Sequence, residues 1–380
     1  MPTLNVRTHL WFGHDALSVL GQIRDVNVVV FTDAFLVKSG IAGQITALLQ
    51  HAKSVRVFDN VRPDPPLSLV AEGLQFILES EADIVIALGG GSSIDTGKAT
   101  VYMAKSSGVR KDIRLIAIPT TSGTGSEVTN FAVISDPDKG VKIPLMSDDM
   151  VPDIAILDPH LVISAPPRIT ADTGFDVITH ALEAYLSVNA NDYSDALAEK
   201  SLSIAFEYLP KAYKDGTNLD ARDKMHSASC LAGMAFNAVG LGISHGIAHQ
   251  LGARFHIPHG RANAMLLPHV LLYNADLPSN FGAVRETRAS LRIARVASLI
   301  GLSGDDTNAK VLSLCKHLTY MLNMTDTPLT LEEAGVSMEA YYAVKPALID
   351  AALRDTCTAT NPRPMTPDDV DAILSNIARW

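Results

Sequence analysis

The run Asp83-Ile84-Val85-Ile86-Ala87-Leu88-Gly89-Gly90-Gly91-Ser92-Ser93-Ile94-Asp95-Thr96-Gly97-Lys98-Ala99 passes from an apolar strand, through three consecutive glycines, into a stretch that reads as a helix. A strand that is apolar at almost every position is buried on both faces, which is characteristic of a parallel sheet. Glycines let a backbone approach a pyrophosphate closely, and the start of the next helix offers free amides and a positive dipole end. The run is neither of the two standard phosphate loops. A Walker A loop requires Gly where Ser92 stands and Ser or Thr where Ala99 stands, and the glycine spacing departs from G-x-G-x-x-G. On this run alone, a tight strand-to-helix turn is the competing reading.

A second run, Pro119-Thr120-Thr121-Ser122-Gly123-Thr124-Gly125-Ser126-Glu127-Val128-Thr129, also follows an apolar strand and is crowded with hydroxyls and glycines. Two such loops at strand ends face the same edge of a parallel sheet, where nucleotides bind. Asp33, closing Val28-Val29-Val30-Phe31-Thr32, is a third candidate. A carboxylate there accepts from ribose hydroxyls and repels a 2'-phosphate, favouring NAD over NADP, although Asp at a strand end also serves as a turn residue.

Further strands are expected at Val26 to Phe31, Ser54 to Phe58, Leu115 to Ile118 and Asp153 to Leu157. Between two of them, Leu69, Val70, Leu74, Ile77 and Leu78 fall on one helical face, so strands alternate with helices in an α/β arrangement with a mostly parallel sheet. After Pro166-Pro167 the composition turns to Ala, Leu and Met with helical spacing, as in Ser194 to Tyr208. The expected organisation is an α/β nucleotide-binding domain over 1–165 and an all-helical domain over 166–380, with a substrate cleft between them.

The helical half carries the second chemical signal. Of 12 histidines, His245, His249, His256, His259 and His269 lie within 25 residues of one another. His245 and His249 are four apart and share a helical face, but Gly246 stands where a zincin needs its Glu, so metalloprotease chemistry lacks its general base. Asp176 and His180 are also four apart on a stretch that reads as a helix. A carboxylate with several imidazoles suits a borderline divalent ion such as iron(II) or zinc. Thr173 and Asp176 also fit a capping box, in which case Asp176 only starts a helix.

Together these blocks, with Gly242 to Gly252, Pro258-His259-Gly260 and Asn361-Pro362-Arg363, resemble the iron-containing (group III) alcohol dehydrogenase family over essentially the whole chain. The resemblance implies the dehydroquinate synthase-like architecture, NAD as cofactor and iron(II), or zinc, as metal. It implies Asp176, His180, His245 and His259 as metal ligands and His249, beside the metal and nicotinamide, as a catalytic residue in proton handling or cofactor contact. For NAD it implies Asp33, Gly89, Gly90, Gly91, Ser92, Thr120, Thr121, Thr124, Lys142 and Leu161. Pro63-Asp64-Pro65 departs from the family, where Asn commonly stands between the prolines. The runs Ile134 to Gly140 and Asp195 to Lys200 look most like propanol dehydrogenases of propanediol-using bacterial microcompartments. The implied reaction is hydride transfer between NAD(H) and a short aliphatic primary alcohol or its aldehyde. The alternatives are another alcohol or diol dehydrogenase of the family, or a metal- and NAD-using lyase. Such a lyase would hold a multiply charged substrate with clustered Lys and Arg, whereas His245 to His269 is mostly apolar.

Composition narrows the partners. With 31 Lys and Arg against 41 Asp and Glu and no long basic run, nucleic acid is not expected. Cys230, Cys315 and Cys357 are widely spaced with no CxxC pair, which fits a reducing compartment. Met1 to Arg7 lacks signal-peptide character and no apolar run reaches the ~18 residues of a membrane span. The expectation is a cytoplasmic protein, or one enclosed in a microcompartment, assembled as a homodimer or larger homo-oligomer, with a small-molecule alcohol as its partner.

Overall fold

The computed structural model describes residues 6–110, 112–137, 141–277 and 286–379. The elements run β1 (His9–Phe12), β2 (Asn27–Asp33), α1 (Ala34–Lys38), α2 (Ile41–Leu48), β3 (Ser54–Val61), α3 (Leu67–Glu79), β4 (Ile84–Gly89), α4 (Gly91–Ser106) and β5 (Arg114–Pro119). A hairpin of β6 (Phe131–Asp136) and β7 (Val141–Met146) precedes β8 (Ile154–Leu157). Helices follow: α5 (Pro167–Leu186), α6 (Asp192–Lys214), α7 (Leu219–Val239), α8 (Ile243–Phe255), α9 (His259–Asn274), α10 (Arg288–Leu299), α11 (Thr307–Met324), α12 (Met338–Arg354) and α13 (Pro367–Asn376).

Six strands pair in the order β1-β8-β5-β4-β2-β3, every pair parallel. Alternation along β4 explains why the quoted strand is apolar throughout. Ile84, Ile86 and Leu88 join Val28, Val30, Ile116, Leu20 and Ile45 on one face. Val85 and Ala87 join Val29, Phe31, Leu115, Ile77 and Ile94 on the other. Gly97 lets α4 lie directly on β4, since a Cβ there would sit 2.8 Å from Ala87 Cβ. The chain runs outward from β2 to β3 and then returns to the opposite side of β2 for β4, so the topological switch point lies between β2 and β4. The pairings Phe31↔Ala87 and Gly89↔Pro119 set Asp33, Gly89 and Thr120 on the same, C-terminal edge.

By its packing the chain divides into two compact units. One comprises the described residues of 5–165 together with 217–237, and the other those of 166–216 and 238–380. The division therefore departs from the linear boundary at 165: almost all of α7 packs with the α/β unit. Arg222 donates to the Ala165 carbonyl at 2.8 Å, and Asn237 Oδ1 accepts from the Asn130 N–H at 2.9 Å. Composition marks α7 as a helix but carries no information about which core it joins. In the helical unit, Ile243, Ile247 and Leu251 of α8 pack with Met265 and Leu266 of α9, Tyr341 and Leu348 of α12, and Val370 and Leu374 of α13.

Neither β1 nor the β6–β7 hairpin is expected from apolar runs. β1 is a four-residue edge strand with mostly exposed side chains. Prolines 210, 268 and 346 lie inside α6, α9 and α12 rather than ending them. Met1 to Asn5, and the Asp138-Lys139-Gly140 end of the Ile134 run, lie outside the described residues. The Asp195 to Lys200 run serves packing: Asp195 pairs with Arg292, and Glu199 Oε1 accepts from Tyr185 Oη at 2.7 Å and meets Arg295 Nε at 2.8 Å, tying α5, α6 and α10 together. Among the described residues, no single helix is long and apolar enough to cross a membrane.

Candidate active site

Asp176 and His180 lie one turn apart in the middle of α5, not at its start. Thr173 Oγ1 donates back to the Ile169 carbonyl at 2.8 Å, so the capping-box reading of Thr173 and Asp176 does not hold. His245 lies in the first turn of α8, and His259 begins α9. One donor atom from each of these four residues lies within 4.8 Å of the others. Asp176 Oδ1 is 3.8 Å from His245 Nε2 and 3.5 Å from His259 Nε2, and Asp176 Oδ2 is 4.0 Å from His180 Nδ1.

Several residues aim these ligand candidates. Glu183, one turn after His180, accepts from the Gly242 and Ser244 N–H groups at 3.0 and 2.7 Å, so it fastens the N-terminus of α8. Its Oε2 also lies 2.6 Å from His245 Nδ1, leaving Nε2 to face Asp176. Burial raises the Glu183 pKa to about 8. Burial, together with the neighbouring His180, His259 and His249, depresses that of His245 well below the ordinary histidine value, so the imidazole is neutral and its lone pair available. Arg261 clamps Asp172 through two bonds, Nε to Oδ1 at 3.0 Å and Nη2 to Oδ2 at 2.7 Å, locking α9 against α5. Gly260 permits that approach, because a Cβ there would overlap the Asp172 carbonyl oxygen. Asn263 Nδ2 reaches Asp176 Oδ1 at 3.0 Å and His245 Nε2 at 3.1 Å. One carboxylate and three imidazoles, all buried but the partly exposed His259, fit a borderline divalent ion such as iron(II).

His249 follows His245 by one turn of α8, and its ring stacks on that of His259 at 5.3 Å between centroids. Its Nδ1 is 2.9 Å from Asp355 Oδ2, and Asp355 Oδ1 accepts from the Cys357 N–H at 2.9 Å. Burial works to raise the Asp355 pKa, but these contacts outweigh it and hold the carboxyl below its usual value. The other two histidines of the dense segment stand apart. His256 takes the left-handed position that ends α8, and His269 is on α9 with its pKa lowered by burial.

In the α/β unit, Gly89 adopts φ +146°, where a side chain would collide with Ser93, and no side chain caps the start of α4. A Cβ at Gly90 would lie 3.5 Å from Thr121, and one at Gly91 would lie 3.0 Å from Thr124 Cγ2. The two loops thus meet across the glycines, forming a cradle that fits a dinucleotide phosphate. Asp33 caps α1 by accepting from the Leu36 N–H at 2.9 Å, which occupies Oδ1. Lys142 lies on β7 and pairs with Asp64 at 2.7 Å, so the residue that departs from the family pattern is tied to a cofactor candidate. Leu161 is buried in the core beneath the sheet.

Lys98 does not follow the Walker precedent. Fully buried, it donates to the Ser126 carbonyl and the Thr129 hydroxyl, both at 2.9 Å, and to the Phe131 carbonyl. It therefore holds the second loop rather than a phosphate. Burial lowers its pKa to about 8. Asp355 carries no spacing signal. Glu183, seven residues after Asp176, and Asn263, four after His259, share a helical face with those ligand candidates.

Residues 7–159 match the family model described as iron-containing alcohol dehydrogenase, and residues 170–378 match the C-terminal model of the Fe-containing alcohol dehydrogenase family. The chain is 42% identical over 379 residues to the 1-propanol dehydrogenase PduQ of Citrobacter freundii, covering 99% of this chain and 100% of that protein. Among solved structures it is similar to a 1,3-propanediol oxidoreductase, with a TM-score of 0.89 and 32% identity over 99% of this chain and 100% of the other. A sulfoacetaldehyde reductase from Bifidobacterium kashiwanohense, solved in complex with NAD+, superposes with a TM-score of 0.86 at 27% identity, over 100% of this chain and 99% of the other.

Proposed function

The chain belongs to the iron-containing alcohol dehydrogenase family, and on that premise we propose how its residues divide the work and which alcohol it takes. It is an NAD-dependent oxidoreductase that interconverts an alcohol and its aldehyde, with iron as its metal. The substrate we propose is a short aliphatic primary alcohol, 1-propanol and propanal in the first instance, by likeness to PduQ. A lyase is not favoured, because the full-length relative is an oxidoreductase.

In this reading Asp176, His180, His245 and His259 hold the iron. The observation that carries it is the convergence of one carboxylate and three imidazole donors within 4.8 Å. When bound, iron supplies Lewis acidity toward the alcohol or carbonyl oxygen, and nicotinamide supplies the hydride acceptor or donor. Glu183 keeps His245 in the tautomer whose Nε2 faces Asp176. His249, fixed through Nδ1 by Asp355, presents Nε2 for passing the hydroxyl proton toward solvent. Asp33, Gly89, Gly90, Gly91, Ser92, Thr120, Thr121 and Thr124 bind NAD along the C-terminal sheet edge, and Lys142, paired with Asp64, and Leu161, buried beneath the sheet, join this set by the family resemblance alone.

Assembly as a homodimer or larger, and association with a bacterial microcompartment, belong to the same proposal by likeness to propanol dehydrogenases. The test is NADH oxidation with propanal by anaerobic protein, metal-stripped and then refilled with iron(II) or zinc(II). Activity that returns with iron(II) supports the reading. No activity with either ion on any short aldehyde overturns it.

A further inference from the structure

His226, on α7, is 2% exposed, and its Nδ1 lies 2.9 Å from the hydroxyl of Ser122 in the second glycine-rich loop. It belongs to a stripe of α7 that grips this loop. Seven residues on, Gly233 lies against Gly125 so closely that a Cβ on Gly125 would be 2.7 Å from the Gly233 Cα. Four further on, Asn237 accepts from the Asn130 N–H. Positions i, i+7 and i+11 share one helical face. Gly125 has φ +62°, so glycine is required there both for its backbone and for the approach.

The other ring nitrogen, Nε2, is buried and has no hydrogen-bond partner. Burial holds the ring neutral, lowering its pKa to about 4 against the opposing pull of Asp158 and the Pro119 carbonyl. A neutral imidazole carries one N–H, and a buried N–H without an acceptor is rare in native structures. With the proton on Nδ1, the ring donates to Ser122 Oγ. The Ser122 O–H is then left to donate elsewhere. Ser122 is half-buried, between Thr121, which faces Gly90, and Thr124, which faces Gly91.

We propose that Ser122 is a cofactor-contacting residue whose hydroxyl His226 turns to donate to an anionic phosphate oxygen of the dinucleotide. Ser122 touches the ligand, and His226 is a positioning residue acting through it. This rests on the reading of the two loops as the cofactor site. The experiment measures binding of NADH, and of ADP-ribose, which lacks the nicotinamide, to the full-length protein, with turnover at saturating NADH in parallel.

Ser122→Ala and His226→Ala are each expected to weaken NADH about tenfold, the loss of one hydrogen bond to a charged group. ADP-ribose should weaken by the same factor, with turnover at saturating NADH nearly unchanged. The double variant should be no weaker than either single one, and His226→Asn, whose amide can replace Nδ1–H, should restore most of the affinity. Gly91→Val serves as control for the loops. If it weakens NADH while Ser122→Ala does not, or if the two single effects add, the Ser122–His226 assignment is overturned and the cofactor site stands. If Gly91→Val leaves NADH binding unchanged, the cofactor-site reading falls and this inference with it. His226→Ala opens a cavity, so Ser122→Ala and His226→Asn carry the test should that variant fail to fold.

Discussion

The two candidate sites are built from different parts of the polypeptide. Around Asp176, four side chains converge on a point, and each is aimed by a further side chain or a clamped helix. Along Gly89–Gly91 the working surface is backbone: an unusual φ, the uncapped start of α4 and the lack of Cβ atoms opposite Thr121 and Thr124. A point held by side chains fails when one donor is removed. The amide surface of the Gly89–Gly91 loop should tolerate loss of a side chain on that loop and fail when an atom is added.

The sharpest challenge to that contrast is Asp176→Ala. It removes the only carboxylate of the four-donor cluster, and turnover should fall on the order of 10³-fold with loss of bound iron. Metal analysis beside kinetics checks this, and an iron-replete, active variant would break the comparison. Next comes Glu183→Gln, which keeps the shape but replaces one carboxylate oxygen in the pair with His245 and one of the two acceptors that fasten α8. Iron affinity should drop about 10- to 100-fold, measured by competition with a chelator. At the other site, Ser92→Ala should change NADH affinity less than about threefold, because a hydroxyl outside the amide cradle contributes at most a weak bond. A tenfold loss would show that Ser92 binds by its side chain, and would erase the distinction for this loop.

Much of the fold was legible because burial on both faces imposes apolar runs along β2, β4, β5 and β8, while β3, an edge strand, was legible from Val55, Val57 and Phe58 although about half its side chains are exposed. The other edge strand, β1, carries no such run, since its side chains are largely exposed. The metal candidates were legible as letters, Asp and His at helical spacing, within a whole-chain resemblance. The capping-box alternative for Asp176 could be dismissed only once α5 was seen to start nine residues earlier, at Pro167. Asp355 and His226 were not legible as site residues, because each acts on a partner distant in sequence, Asp355 on His249 and His226 on Ser122, whereas Glu183 and Asn263 showed only a helical face shared with Asp176 and His259.

Sequence by itself determined which segments must be buried, where glycine is needed, and which side chains can ligate a divalent ion, since these depend on residue type and local spacing. Only the tertiary structure decided that Lys98 holds a loop rather than a phosphate, that α7 packs with the α/β unit, and that Glu183 serves both the start of α8 and His245. The physical reason is the same in each case. A charged or helical residue announces that it needs a partner, but the fold chooses which of many distant groups meets that need.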